Sequence, residues 1–241
     1  MKTTIITKLV MTIAIAPQLI QASGAVFLQV GQMSNRFGRS PSANSIIVGG
    51  GASYLYLGTT GKDYGAAISL YGDIMHAISG SVRTADVGGG VDAMLRIKFL
   101  AFGPNIDVRQ LIRELPNEKN PNLQPASIFA AGAGGSARIT FGPQGRAFAQ
   151  VRYTDYGRLG NASLQGSLFG FATASVKGTA VPNRNGRRWA ASIGYQFPKR
   201  FFLRGQITNY NIAFEQVANV NQFGQQDHRS TAYTMGIGWT F

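Results

Sequence analysis

The last eleven residues, 231–241, alternate between two kinds of side chain without interruption. The large face is Thr231, Tyr233, Met235, Ile237, Trp239 and Phe241, and the small face is Ala232, Thr234, Gly236, Gly238 and Thr240. A period of two predicts a β-strand whose two sides meet different environments. Large side chains on one face and a terminal aromatic residue are typical of the closing strand of a bacterial outer-membrane β-barrel. We take Tyr233, Ile237, Trp239 and Phe241 as that signature.

The N-terminus predicts export. Lys2 and Lys8 lie before an apolar stretch, 9–20, which is followed by small residues. This pattern predicts a cleaved signal peptide over residues 1–24 and an outer-membrane barrel domain over residues 25–241. A membrane anchor is the alternative, but polar residues and a proline interrupt the stretch, which falls short of the roughly 20 residues needed to cross a bilayer.

The composition narrows the functional classes. The chain has 31 glycines, 15 phenylalanines, 9 tyrosines and only 14% charged residues, so it lacks the charge of an ordinary soluble surface. Without cysteine, it has neither a disulfide framework nor a thiolate metal site. Removing Lys2 and Lys8 from 23 basic residues leaves 21 against 10 acidic ones, a net of +11. Because these basic residues are scattered, we expect them to meet lipid phosphates or small anions, and we expect no nucleic-acid binding.

Nine runs of the mature chain have strand character. They are 25–35, 44–57, 63–73, 88–103, 126–141, 145–156, 187–197, 200–215 and 229–241. A barrel with both termini in the periplasm needs an even number of strands. We therefore predict an all-β, antiparallel transmembrane barrel with 8–10 strands, ten being favoured. Ile74–Thr84 and Ser163–Thr179 are the candidates for the tenth strand.

One insertion interrupts the β-pattern between Pro104 and Pro125. Its apolar residues Val108, Leu111, Ile112 and Leu115 stand at helical spacing. This spacing predicts a short helix in a loop, packed on the barrel rim. The alternative is an interfacial helix whose Arg109 and Arg113 contact anionic headgroups.

The strand faces predict a basic lumen. If the apolar faces contact lipid, the lumen receives Arg96, Lys98, Arg138, Arg152 and Arg204, with Asp92 as an acidic partner. Buried charges must be paired, hydrated or bound to an anion. The alternatives are a small barrel filled by salt-bridged side chains and a narrow, water-filled, anion-preferring pore.

The end of the sixth run carries a motif with a family resemblance. Its residues are Arg152, Tyr153, Thr154, Asp155, Tyr156 and Gly157. This motif, followed further on by a closing strand with a terminal aromatic residue, resembles the small OmpA-like and opacity-type outer-membrane barrels. The resemblance implies an eight-stranded barrel with a structural, adhesive or narrow-pore role and no catalysis. Its expected partners are outer-membrane lipids, lipopolysaccharide and, through the C-terminal strand, the barrel-assembly machinery.

Two other functions have sequence support. An adhesin or lipopolysaccharide-binding barrel would use arginines in exposed loops, namely Arg36, Arg39, Arg184, Arg187 and Arg188. A lipid hydrolase would use the His-x-Ser pair of His228 and Ser230, beside Asp227, near the outer rim. The asparagine that follows this serine in known outer-membrane hydrolases is missing, so we expect no enzyme activity.

The remaining signals predict no cofactor and no metal. His76 has no carboxylate at a metal-ligand spacing. The glycine triplets 49–51 and 88–90 lack the Gly-Lys-Ser/Thr sequence of a phosphate loop. In strands, such glycines mark bends or tight barrel interiors.

Overall fold

Antiparallel strands account for nearly all of the residues described by the computed structural model. These residues are 21–37, 42–59, 63–80, 84–115, 124–142, 146–156, 179–180, 183–198, 200–214 and 227–241. The strands are β1 (Gln21–Phe37), β2 (Ala43–Thr59), β3 (Tyr64–Gly80), β4 (Thr84–Ile97), β5 (Leu100–Leu115), β6 (Gln124–Phe141), β7 (Ala147–Tyr156), β8 (Thr179–Ala180), β9 (Asn183–Gln196), β10 (Phe201–Phe214) and β11 (Asp227–Thr240).

Ten of these strands close into a barrel. Each pairs antiparallel with its neighbours in the order β5-β4-β3-β2-β1-β11-β10-β9-β7-β6, and β5 pairs with β6 to complete the ring. The two-residue β8 lies outside the ring and pairs parallel with β6. The backbone of Phe241 extends the β1–β11 seam, because it exchanges hydrogen bonds of 3.0 and 2.9 Å with Gly24. The wall of the ring therefore has no free strand edge, as hydrocarbon requires.

The connections differ in length at the two ends of the barrel. At the short-turn end they are 60–63, 98–99, 142–146 and 197–200, and Phe241 lies at this end. At the long-loop end they are 38–42, 81–83, 116–123, 157–182 and 215–226. The β4–β5 turn is tight: Lys98 has a φ of 53°, and its amide donates to the Asp63 carbonyl at 2.6 Å.

The outer face of the barrel is apolar over most of its height. Leu28, Met235 and Phe241 are 71%, 75% and 70% exposed, and large apolar side chains point outward from all ten strands of the wall. Aromatic rings gather at the short-turn end, where Phe201 contacts both Phe197 and Trp239 with centroid distances of 5.5 and 5.7 Å. We call this surface the apolar belt. The residues of the C-terminal signature all belong to it, on the exposed face of β11 or just after it.

The predicted helical insertion is wrong. Residues 100–115 form β5, which was divided in the prediction between the run 88–103 and the helix. The inward face of β5 carries Asn105, Asp107 and Arg109, all buried, so a polar lumen concealed the period of two. Pro104 fits the strand because the β4–β5 ladder has a gap opposite it, where its missing amide is not needed.

The strand count of ten is confirmed, and the eight-stranded alternative is wrong. The tenth strand is β5, whereas residues 74–80 extend β3 and residues 163–178 lie outside the described part of the chain. Residues 1–20 also lie outside it, and residues 21–24 are the first of β1. Cleavage after residue 24 therefore stays a prediction.

Candidate functional site in the barrel lumen

A buried carboxylate, Asp107, crosslinks the barrel wall through the lumen. It accepts hydrogen bonds from the hydroxyls of Tyr71 and Tyr156 at 2.8 and 2.7 Å. It also accepts from Arg109 Nε at 3.0 Å and from Arg188 Nη1 at 3.2 Å. Arg109 reaches further, to Asp73, with an Nη2–Oδ1 distance of 2.7 Å. Strands β3, β5, β7 and β9 thus meet at one anionic centre, which we call the Asp107 network.

Glycines on β4 make room for this network. A Cβ on Gly88 would lie 2.4 Å from Arg109 Cγ, and one on Gly90 would lie 2.6 Å from the Tyr71 hydroxyl. Both distances are shorter than side chains tolerate, so the missing Cβ atoms allow long side chains to cross the lumen. This accounts for two of the three glycines in the triplet 88–90.

A second ion pair lies beside the first. Arg152 donates to both carboxylate oxygens of Asp92, with Nη2–Oδ2 at 2.7 Å and Nε–Oδ1 at 3.1 Å. Gln150 adds a hydrogen bond to Asp92 at 3.1 Å. The Arg152 guanidinium also stacks 3.9 Å above the Tyr71 ring, which joins this pair to the Asp107 network.

Apolar side chains fill the lumen toward the long-loop end. Met33, Ile47, Met75, Ala77 and Ala232 form one buried cluster. Leu111 and Ile212 are also fully buried. Packed apolar and ion-paired layers thus occupy successive levels of the lumen.

Three lumen arginines, Arg96, Arg138 and Arg204, form no ion pair with a carboxylate among the described residues. Arg138 donates to Gln150 Oε1 at 3.5 Å and stacks over the Phe148 ring at 4.3 Å. Arg204 donates to the Gln206 side-chain oxygen and stacks over the Phe27 ring at 4.9 Å. Both side chains are only half-buried.

The structure places the predicted lumen residues as follows. Asp92, Arg138, Arg152 and Arg204 face the lumen, as does the half-buried Arg96. The lumen position predicted for Lys98 is wrong, because the alternation of β4 ends at residue 97 and Lys98 lies exposed in the two-residue turn.

The residues of the family-like motif divide between the two faces of β7. Arg152 and Tyr156 point inward, where they bind Asp92 and Asp107. Tyr153 and Asp155 point outward and are exposed. Gly157 lies outside the described residues.

Sequence reasoning missed the Asp107 network. It placed Arg109 on a loop helix, which only the interfacial alternative put in contact with headgroups. It counted Arg188 among the loop arginines of the lipopolysaccharide alternative, yet both side chains are buried in the lumen. The sequence Asn105-x-Asp107-x-Arg109 held the signal, because polar residues at a period of two are what the inner face of a barrel strand carries.

The His228 and Ser230 pair also faces the lumen. Both residues are almost fully buried, and His228 Nε2 lies 3.3 Å from Asn35 Oδ1. The pair therefore does not lie on the bilayer-facing side of β11. No group of three potential metal ligands occurs within the described ranges, and no helix there is long and apolar enough to cross a membrane.

Basic side chains also form a row on the outer face near the long-loop end. Arg36 stands opposite Arg229 in the β1–β11 register, Asn211 follows on β10, and Arg187 stands opposite Asp155 on β9 and β7. All five side chains are exposed. We call the three arginines of this set, Arg36, Arg187 and Arg229, the outer basic row. Of the other arginines in the lipopolysaccharide alternative, Arg39 lies outside the described residues, and the structure describes only the backbone of Arg184.

Comparison with known proteins yields remote structural likeness. No protein-family model matches the sequence, and no curated protein matches it. The attachment invasion locus protein Ail of Yersinia pestis matches with 6% identity and a TM-score of 0.37, covering 92% of this chain and 99% of that chain.

Two further structures match at a similar level. The β-domain of the Bordetella autotransporter BrkA matches with 10% identity and a TM-score of 0.35, covering 92% of this chain and 100% of that chain. The outer membrane protein OprG of Pseudomonas aeruginosa matches with 7% identity and a TM-score of 0.31, covering 92% of this chain and 97% of that chain. Values this low assign no family.

We predict that Asp107→Asn destabilises the barrel by about 3 kcal/mol, because it leaves Arg188 buried without its charged partner. The free energy of unfolding in urea, measured in nonionic micelles, checks this. The control Asp155→Asn, on the exposed outer face, should change it by less than about 0.5 kcal/mol. Equal effects of the two substitutions would show that the Asp107 network does not stabilise the fold.

Proposed function

We propose that this chain is a non-enzymatic, integral outer-membrane β-barrel protein whose lumen is closed by its own side chains. The observation that carries the proposal is the apolar belt. Its large apolar side chains point away from the lumen, and Leu28, Met235 and Phe241 are 71%, 75% and 70% exposed. Soluble monomers rarely expose so much contiguous apolar surface, whereas a bilayer covers it.

The sequence features at the two ends of the chain support export and membrane insertion. The N-terminal segment has the features of a signal peptide, and the C-terminal strand ends with Trp239, Thr240 and Phe241. We propose that the barrel-assembly machinery recognises this strand. The orientation that fits has the short-turn end in the periplasm and the long-loop end outside.

The lumen favours a structural barrel over a conducting pore. Two layers close it, the apolar cluster around Met33 and Met75 and the Asp107 network. An ion crossing the lumen would have to displace packed side chains and lose its hydration. The basic lumen predicted from the sequence therefore supports a filled barrel rather than an anion path.

Membership of the OmpA-like group stays a finer proposal. It is supported by the motif residues Arg152 and Tyr156, whose side chains contribute to the two ion-paired centres of the lumen. Ten strands, where the resemblance implies eight, count against a close relationship.

A second candidate function is the binding of lipopolysaccharide, and the outer basic row favours it. Arg36 and Arg229 stand directly opposite one another on neighbouring strands, and like charges in that position are destabilising unless an anion lies between them. At the long-loop end, the row would lie at the level of the lipid A phosphates. Phosphate groups bind guanidinium groups through paired hydrogen bonds. The adhesin alternative depends on loops outside the described residues.

For the apolar belt, we predict that Leu28→Arg destabilises the barrel in lipid vesicles by about 2–4 kcal/mol, because it places a charge near the bilayer midplane. The control is Asn44→Arg, an exposed position near the long-loop end, which should cost at most about 1 kcal/mol. Urea unfolding measures both. If Leu28→Arg is as mild as the control, the belt does not lie in hydrocarbon.

For the closed lumen, we predict that the purified protein shows no conductance steps in planar bilayers, in either direction of a potassium chloride gradient. A difference in electrophoretic mobility between the unheated and the boiled protein verifies that the sample is folded. Reproducible steps would contradict closure, and their reversal potential would report an anion preference.

For the outer basic row, we predict that Arg36→Gln combined with Arg229→Gln weakens the binding of lipid A to the barrel in nonionic micelles by about tenfold or more. Isothermal titration calorimetry measures the affinity. Arg200→Gln, exposed at the short-turn end, is the matched control and should bind as the wild type does. Equal affinity in the double variant would exclude this binding site.

A further inference from the structure

Five arginines line one cavity in the lumen, and two of them lack a counterion. The cavity has a volume of about 50 Å³, and its lining includes Arg109, Arg138, Arg152, Arg188, Arg204 and the carboxylate of Asp73, which Arg109 binds. Arg109 and Arg188 are paired within the Asp107 network, and Arg152 is paired with Asp92. Arg138 and Arg204 form no ion pair in the described part of the chain. The cavity therefore carries two uncompensated positive charges.

The contacts of these two side chains leave donors free. Each guanidinium stacks its face on a phenylalanine ring, Phe148 for Arg138 and Phe27 for Arg204. Stacking occupies the face of the guanidinium, whereas its N–H groups lie along the edge. The Nε atoms of both arginines are buried and have no hydrogen-bond partner. A buried donor without a partner is destabilising, and a buried charge without a counterion is more so.

The two arginines lie beside the Asp107 network and apart from the apolar cluster. Phe27, Phe148 and Arg204 lie in the strand halves next to the short-turn end, away from the apolar cluster around Met33. The two arginines are half-buried, so part of each side chain is accessible from the cavity. The neighbouring amides of Gln150 and Gln206 supply further hydrogen-bonding groups on the cavity wall.

We propose that this cavity is a binding site for one small inorganic oxyanion of the size of phosphate or sulfate, held between Arg138 and Arg204. Guanidinium groups bind such oxyanions through paired, charge-assisted hydrogen bonds, which would use the free edge donors. A cavity of about 50 Å³ admits a few water molecules or one small anion, and it excludes a lipid headgroup with its chains. The site goes beyond the proposed structural role, because it gives the closed barrel a ligand on its periplasmic side.

The test uses the full-length mature protein in nonionic micelles, titrated with phosphate against chloride at constant ionic strength. We expect a saturable rise in Tm with phosphate, because a ligand that binds only the folded state stabilises it. Arg138→Gln and Arg204→Gln should each weaken phosphate binding by about tenfold or more. Arg96→Gln is the matched control, since Arg96 is a half-buried lumen arginine that does not line the cavity.

The control also distinguishes specific phosphate binding from a general salt effect. Phosphate stabilises many proteins by exclusion from their surface, without saturation and without dependence on one side chain. A rise in Tm that Arg138→Gln, Arg204→Gln and Arg96→Gln all share with the wild type would therefore overturn the proposal. A second measurement is isothermal titration calorimetry of the wild type, in which no saturable phosphate binding below about 10 mM would equally overturn it.

The outcome is separable from the proposed function. Conductance steps in planar bilayers would contradict a closed lumen, yet the phosphate titration would still report whether the two arginines hold an anion. A silent barrel that binds no phosphate would keep the structural role and remove the site. In the absence of phosphate, both glutamine variants should be at least as stable as the wild type, because each removes an unpaired charge.

Discussion

Closure of the hydrogen-bonded ring is the constraint on which the rest of this structure depends. Once β5 pairs with β6, every strand of the wall has two neighbours, and the backbone polar groups of the wall are satisfied within the protein. Only then can most of the outer face be apolar. The same closure creates an interior too narrow for bulk water to solvate many charges, so the side chains that point inward must satisfy one another. Both the apolar belt and the filled lumen therefore follow from closure of the ring.

Most of the charged side chains in the lumen are paired with one another. Asp107 is surrounded by two tyrosine hydroxyls and two guanidinium groups, and Asp92 is held by Arg152 and Gln150. Pairs of this kind contribute little net stability relative to an apolar core, yet removing one partner is costly. They also specify which strands face each other across the barrel. Arg138 and Arg204 are exceptions, because stacking on aromatic rings orients them without neutralising their charge.

Much of the fold could be predicted from alternation, and the failure at β5 has a physical cause. In β11, large and small residues differ so clearly that both faces are evident in the sequence. In β5, the inward residues Asn105, Asp107 and Arg109 are polar, while Val108 and Leu111 happen to stand at helical spacing. The apolar residues of this segment therefore matched the period of a helix. The lumen position predicted for Lys98 failed for a related reason. The alternating pattern of β4 continues by one residue into the β4–β5 turn, where no glycine marks the end of the strand.

The sequence by itself determined the class of the protein, because the period of two is a local property that each strand carries alone. It determined which face of most strands would be apolar, and that the lumen would be basic. Only the tertiary structure decided which side chains meet. Tyr71, Tyr156 and Arg188 stand 36, 49 and 81 positions from Asp107 and come together through the register and tilt of a closed ring. That geometry is a property of all ten strands at once, so no single segment encodes which arginines are neutralised and which are left without a counterion.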